Sequence, residues 1–212
     1  MTSRVADVPA LRPCGEHAWL LDLDDNAMVH RWAAAIREAE LPGVREVVPG
    51  LTTVLVTFDA GLTNASALRA ALGTLQPRPD QSEGHDHHVI DVRYDGEDLD
   101  DVSKLTGLTV AEVIAAHTES VWTVAFCGFA PGFSYLVGGD PRLYVPRRDE
   151  SRVRVPAGAV AIAGAFSAVY PRVSPGGWQL LGHTDAVLWD SAADPPAVLR
   201  PGAVVQFRRV RP

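Results

Sequence analysis

Lysine is nearly missing from this chain: of 19 Lys and Arg residues only Lys104 is a lysine, and no glycine-rich run leads into it. The phosphate-cradling loop that ends in Gly-Lys-Ser/Thr is therefore absent, which excludes the familiar P-loop ATPases. A Gly-x-Ser-x-Gly nucleophile elbow and a His-Glu-x-x-His metal helix are missing too, which removes the commonest serine-hydrolase and zinc-peptidase signatures. Cysteine is scarce. Cys14 and Cys127 lie far apart and form no Cys-x-x-Cys pair, so neither a disulfide framework nor a zinc site is suggested, and a reducing cytoplasm fits. The start, Met1-Thr2-Ser3-Arg4-Val5-Ala6-Asp7, has no apolar signal core, and the uncharged run Val155 to Pro171 is broken by glycine and too short to span a bilayer. These shortages point to a soluble cytoplasmic protein without a membrane segment.

What is present is ordinary globular material: 212 residues, 47% hydrophobic and 21% charged, enough for one large or two small domains with real cores. The net charge of −7 is unevenly placed. Lys and Arg minus Asp and Glu gives 7 − 11 = −4 for positions 1 to 84, 2 − 9 = −7 for 85 to 120, and 10 − 6 = +4 for 121 to 212. A modestly positive last third suits a small anion such as a carboxylate or phosphate, whereas nucleic acid needs a stronger basic field. A solvated scatter of arginines would give the same count.

Hydrophobic periodicity predicts a strand over His17 to Leu23, a helix capped by Asn26 with Trp32 and Ile36 on one face, strands over Val44 to Pro49 and Thr52 to Phe58, and a helix from Asn64 to Leu75 burying Leu68, Leu72 and Leu75. The order βαββα makes an α+β layer pair. A polar break, Gln76 to His88, then sets a domain boundary, with an N-terminal domain over 1–84 and a second over 85–212. His85, His87 and His88 sit in that break. Imidazoles two apart on an extended segment point the same way, but no second cluster supplies further ligands, so a solvated linker is expected and no metal.

Val89 to Tyr94 reads as a strand, and Thr109-Val110-Ala111-Glu112 has the reciprocal capping pattern that starts a helix. Val110, Val113, Ile114 and His117 share that helix's apolar face. His117 is then either a satisfied core histidine or a proton carrier facing a pocket. From Val121 short β-rich runs alternate with turns: Val121 to Cys127, Arg152 to Val155, Val160 to Ala163, Ala168 to Tyr170, Gln179 to Leu181, Val187 to Trp189 and Val204 to Val210. Such spacing means a barrel or a sandwich. Between these runs lie three loops stiffened by proline, bent by glycine and loaded with aromatics: Gly128 to Leu136, Arg154 to Gly158 and Ser174 to Leu180. They read as pocket walls, or alternatively as the tight turns any all-β domain needs.

The ordered text Gly128-Phe129-x-Pro131-Gly132-Phe133-x-Tyr135-Leu136, Asp140-Pro141-Arg142-Leu143, Pro146-Arg147, Arg154-Val155-Pro156-Ala157-Gly158-x-Val160-x-Ile162-Ala163-Gly164, Tyr170-Pro171 and Ser174-Pro175-Gly176-Gly177-Trp178-Gln179-Leu180-x-Gly182-x-Thr184 resembles one family. It holds the B component of the bacterial ATP-dependent 5-oxoprolinase (PxpB), the sporulation-kinase inhibitor KipI and proteins labelled allophanate hydrolase subunit 1. The match is dense over the C-terminal two thirds and only architectural before that.

The resemblance implies a small N-terminal α+β domain followed by a C-terminal cyclophilin-like, carboxyltransferase-like β-barrel. It also implies a complex with the A and C components of 5-oxoprolinase, the C component being akin to allophanate hydrolase subunit 2. That complex uses ATP with a divalent cation to open 5-oxo-L-proline to L-glutamate. This chain would be nearly inactive alone. The alternatives are a KipI-type inhibitor that binds a sensor histidine kinase, or allophanate hydrolase subunit 1 with biotin-carboxylase neighbours. Opening a lactam requires donors for a phosphate and a carboxylate and a proton carrier for the ring nitrogen. His117 and His183 are the candidate proton carriers. Arg147 and Arg154 are candidate anion donors, or else partners of Asp149 and Glu150. Phe129, Pro131, Gly132, Tyr170, Trp178 and Gln179 are candidate substrate-binding residues, the glutamine amide offering one donor and one acceptor. Three positions depart from the family's usual text: Ser134 for Pro, Ala165 for Gly, and His183 for Arg. The last exchanges a fixed charge for a titratable one and puts anion binding there in doubt.

Overall fold

The structure, a computed structural model, describes residues 9–78 and 86–211. The chain divides into two compact units, Met1–Gly84 and His85–Pro212. In the first, β1 (Ala10–Pro13), β2 (Ala18–Asp22), β3 (Val44–Pro49) and β4 (Thr53–Phe58) form an antiparallel sheet of order β1-β2-β4-β3, with α1 (Asn26–Glu38) and α2 (Ala65–Leu72). Strict alternation along β4 buries Val54, Val56 and Phe58 on one face, and Trp32, Ile36, Leu68 and Leu72 of the helices pack with them. The first strand was not expected. Its side chains are mostly exposed, so no period-two pattern marks it. The cap of α1 also moves by one residue: Asp25, not Asn26, accepts from the Met28 amide, while the Asn26 side chain donates to the Leu51 carbonyl at 3.0 Å.

The second unit runs β5 (His87–Val92), α3 (Leu99–Thr106), α4 (Val110–Glu119), β6 (Trp122–Cys127), β7 (Ser134–Val137), a 3-10 turn (Pro141–Leu143), β8 (Arg152–Val155), β9 (Ala159–Ala163), β10 (Phe166–Val169), β11 (Ser174–Gly176), β12 (Gln179–His183) and β13 (Val204–Arg209). Seven of these strands hydrogen-bond in the order β12-β9-β10-β7-β6-β13-β5. The two outer strands then meet through a reciprocal backbone pair, with the Arg93 amide donating to the His183 carbonyl and the His183 amide to the Arg93 carbonyl, each at 2.9 Å. That seam joins the two ends of the sheet and nearly closes it into a barrel. The α+β class with a cyclophilin-like barrel holds.

The sequence of β9, Ala-Val-Ala-Ile-Ala, shows how the barrel is built. Val160 and Ile162 join the interior core with Trp122, Leu136, Leu181 and Phe207. Ala159, Ala161 and Ala163 point the other way, into a second core made by Phe133, Tyr170, Trp178 and Leu180. Small residues outward let an aromatic layer lie close against the barrel wall. The separate β8–β11 ribbon carries two of the loops that complete that layer. The expected capping box opens α4, with Thr109 and Glu112 each bonding the other's backbone. Val187 to Trp189 is not a strand: it holds only an isolated bridge between Trp189 and Ala197. The histidine run falls partly outside the described residues. His87 and His88 belong to β5, and among the described residues no group of three or more His, Cys, Asp or Glu side chains is placed to hold a metal ion.

Candidate functional site

The aromatic layer opens to the surface as a bowl. Phe133 sits at its centre, edge-to-face with Tyr135 at 5.1 Å, Tyr170 at 5.3 Å and Trp178 at 5.7 Å, while Phe129 at the rim meets it at 5.2 Å. Phe129 has φ of 66°, a left-handed conformation uncommon for a non-glycine residue, and it stays 60% exposed. Gly176 is required at the opposite rim, because a Cβ there would come within 2.3 Å of the Tyr170 hydroxyl. The hollow encloses about 230 Å³ and is lined by Phe129, Phe133, Tyr170 and Trp178 on its apolar side and by Arg147 and Ser151 on its polar side. Burial pushes the Tyr170 phenol up, which keeps its hydroxyl protonated.

Gln179, the first residue of β12, lines a different hollow from the bowl that Trp178 before it lines. Its Nε2 donates to the Pro146 carbonyl at 3.2 Å, and the Arg148 amide donates to the Gly177 carbonyl at 2.8 Å, lacing the two segments together. There a second hollow of about 560 Å³ is lined by Gln179, Pro146, Arg147, Arg148, Lys104 and Glu150 among others. Arg147 lines both hollows and is exposed, with no hydrogen-bond or ion-pair partner among the described residues. The expected alternative, a surface pair with Asp149 or Glu150, is absent there for both Arg147 and Arg154.

Arg148, by contrast, is anchored. Asp98 is only 1% exposed and accepts from Arg148 at 2.6 Å, Arg152 at 2.7 Å and the Leu180 amide at 2.7 Å. This knot ties the start of α3 to β8, β12 and the Pro146–Arg148 segment, and so positions the second hollow. Sequence reasoning missed it. Asp98 lies in an acidic run with Glu97, Asp100 and Asp101, and nothing local distinguishes the buried carboxylate from the solvated ones.

The two histidines stand elsewhere. His117 is buried in the barrel interior, stacked on Phe207 at 4.3 Å, with Nδ1 2.7 Å from the Tyr94 hydroxyl and Nε2 2.8 Å from the Ser167 hydroxyl. Burial drives its pKa down to about 3, so the ring is neutral at physiological pH. It lines neither hollow and sits among core side chains with both ring nitrogens hydrogen-bonded, the environment of a satisfied core histidine. His183 lies on the barrel seam, where its Nε2 is 2.9 Å from an Arg93 nitrogen and its Nδ1 2.8 Å from Asp95. Since a guanidinium only donates, Nε2 must accept, and the proton sits on Nδ1 facing Asp95. His183 lines a third hollow with Arg93, Thr184 and Asp185, which shares no lining residue with the other two. Arg154 is exposed on β8 and lines none of the three. Pro131 is exposed in its loop, and Gly132 shapes backbone: with φ of 80°, its Cβ would lie 2.8 Å from Trp189. Of the expected set, the structure gathers Phe129, Tyr170, Trp178, Arg147 and Gln179 around two neighbouring hollows.

The model of the carboxyltransferase domain, subdomain C and D, matches residues 9–199. Over 200 residues the chain is 38% identical to the B component of 5-oxoprolinase from Bacillus subtilis, covering 87% of this chain and 83% of that one. It is also 38% identical over 205 residues to the Escherichia coli O157:H7 protein of the same name, covering 91% and 92%. The chain belongs to the family of 5-oxoprolinase B components. In this chain the Gly128–Leu136 and Ser174–Leu180 loops wall the bowl, and Gln179 lines the neighbouring hollow. Among solved structures, the fold superposes on TTHA0988 with a TM-score of 0.82 and 32% identity over 96% of this chain, which spans only 41% of that longer one. It also superposes on Kluyveromyces lactis urea carboxylase with a TM-score of 0.75 at 20% identity, over 95% of this chain and 22% of that one, a likeness of fold alone.

Proposed function

We propose that this chain is the B component of a multi-subunit, ATP-dependent 5-oxoprolinase that opens 5-oxo-L-proline to L-glutamate. The observation that carries this reading is identity of 36% to 38% with three chains of that name over most of both lengths. ATP and its divalent cation enter as substrates of the complex assembled with the A and C components, and the chain acts in the cytoplasm, nearly inactive alone. Transfer of the γ-phosphoryl group of ATP to the lactam oxygen activates the ring carbon. Water adds there, and the C–N bond breaks as the ring nitrogen takes up a proton. The acyl phosphate so formed is hydrolysed by a second water to L-glutamate and free phosphate.

What this chain contributes is recognition. Arg147 has an unspent guanidinium suited to bidentate contact with the substrate carboxylate. Phe129, Tyr170 and Trp178 shield one flank of it from water and thereby strengthen that contact. Neither histidine is assigned a proton transfer, because each already engages both ring nitrogens within its own network. The carboxyltransferase description of the family and a partial likeness to a putative urea carboxylase support a second reading, allophanate hydrolysis or a carboxyltransferase-like part of a urea-degrading system.

The deciding measurement is glutamate release from 5-oxo-L-proline with ATP and the purified A and C components, with and without this chain. Activity only in its presence is the expected result. No activity from three proteins that demonstrably associate would sink 5-oxoproline as substrate and leave the allophanate and KipI-type kinase-inhibitor readings.

A further inference from the structure

Gln179 is 5% exposed and uses half of its amide. The orientation of that amide is fixed by chemistry: the Pro146 carbonyl can only accept, so the nitrogen must face it. Oε1 is consequently turned elsewhere, and it is buried without a hydrogen-bond partner. A buried acceptor left unpaired is costly, and native structures rarely keep one without a use. Arg148, which lines the second hollow together with Gln179, carries a donor of the matching kind. Arg148 has one terminal nitrogen on Asp98 while its Nε is also buried and unpartnered. The lacing of Arg148 to Gly177 and of Gln179 to Pro146 keeps these two side chains on neighbouring segments. On the border of the same hollow stands Arg147 with its free guanidinium.

We infer that this hollow reads the edge of a cis secondary amide that also carries a carboxylate. The ligand N–H donates to Gln179 Oε1, its carbonyl oxygen accepts from Arg148 Nε, and Arg147 takes the carboxylate. A small ring forces its amide cis, so donor and acceptor lie side by side on one edge, whereas an open-chain trans amide presents them on opposite edges. The inference rests on the 5-oxoprolinase reading for the identity of the ligand. It adds that recognition comes from the Gln179 side of Arg147, and that the aromatic bowl is its shield.

The test is a comparison of ratios by calorimetric titration of the full chain, alone and with the A and C components. The probes are 5-oxo-L-proline and its lactone analogue, 5-oxotetrahydrofuran-2-carboxylate, in which a ring oxygen replaces the N–H. The wild type should prefer the lactam by about ten- to a hundredfold, the cost of leaving a buried acceptor unpaired. In Gln179→Met that preference should fall to within about threefold, whereas Gln179→Glu, which retains an acceptor oxygen, should keep part of it. A ratio of lactone to lactam affinity does not depend on how much of a variant is folded. Arg147→Gln should erase the preference for 5-oxo-L-proline over 2-pyrrolidinone, which lacks the carboxylate.

An undiminished lactam preference in Gln179→Met overturns the inference. If the wild-type complex still releases glutamate in that case, the functional reading survives it. A complex that releases no glutamate while the chain shows a Gln179-dependent lactam preference overturns the reading and leaves the inference standing. A wild type that binds both probes equally overturns the inference whatever the activity.

Discussion

Asp98 shows how much one side chain can hold. Its two oxygens accept from two arginines and from a strand amide on three separate segments, at 1% exposure. Removing one partner of a buried pair strands the others without compensation. Asp98→Ala should therefore destabilise the barrel unit by about 3–5 kcal/mol, seen as a lower urea midpoint, and should disorder the Gln179 hollow. His117 makes a different prediction, in pH. Its folded pKa is about 3, against 6.5 for a free imidazole. Between those values the unfolded chain binds a proton that the folded chain does not, so stability falls as pH drops through that window, with a limiting slope of ~1.4 kcal/mol per unit. Urea unfolding at pH 7 and pH 4.5 should show a steeper loss for the wild type than for His117→Gln. Equal losses would mean that other groups dominate acid sensitivity.

At the scale of elements, β9 is the critical piece because its two faces serve two cores. Ala161 is fully buried beneath the aromatic layer, so Ala161→Leu should cost about 1–3 kcal/mol by overpacking and should distort the bowl, read as altered Trp178 fluorescence. The same strand explains what the sequence could tell. Runs with a clear period, such as β4 and α4, were visible, and so were the glycine and proline loops that form the bowl. The edge strand β1 was not, since exposure erases alternation, nor was α3, whose eight residues bury only Leu99 and Val102 among acids. Site residues were legible as types but not as neighbours. Trp178 and Gln179 are adjacent in sequence yet serve different hollows, and the partner that fixes the Gln179 amide is 33 residues away. The Asp95 carboxylate that sets the His183 tautomer is 88 residues away. Local pattern carries no information about such pairings.

For the whole molecule, two units with separate cores mean that damage to one need not unfold the other, and the bridge between Arg93 and His183 joins the outer strands of the seven-stranded sheet. β9 is hydrogen-bonded on one side to β10 and on the other to β12, and all five of its side chains are buried. Its amide protons can therefore reach solvent deuterium only when the barrel opens as a unit. Exchange at Val160 to Ile162 should yield the same free energy as global urea unfolding of that unit, and a markedly smaller value would reveal a local opening. The amides of this one strand then act as a stability gauge within the chain, one that mass spectrometry can read inside an assembled complex, where a denaturant melt cannot resolve a single protein among several.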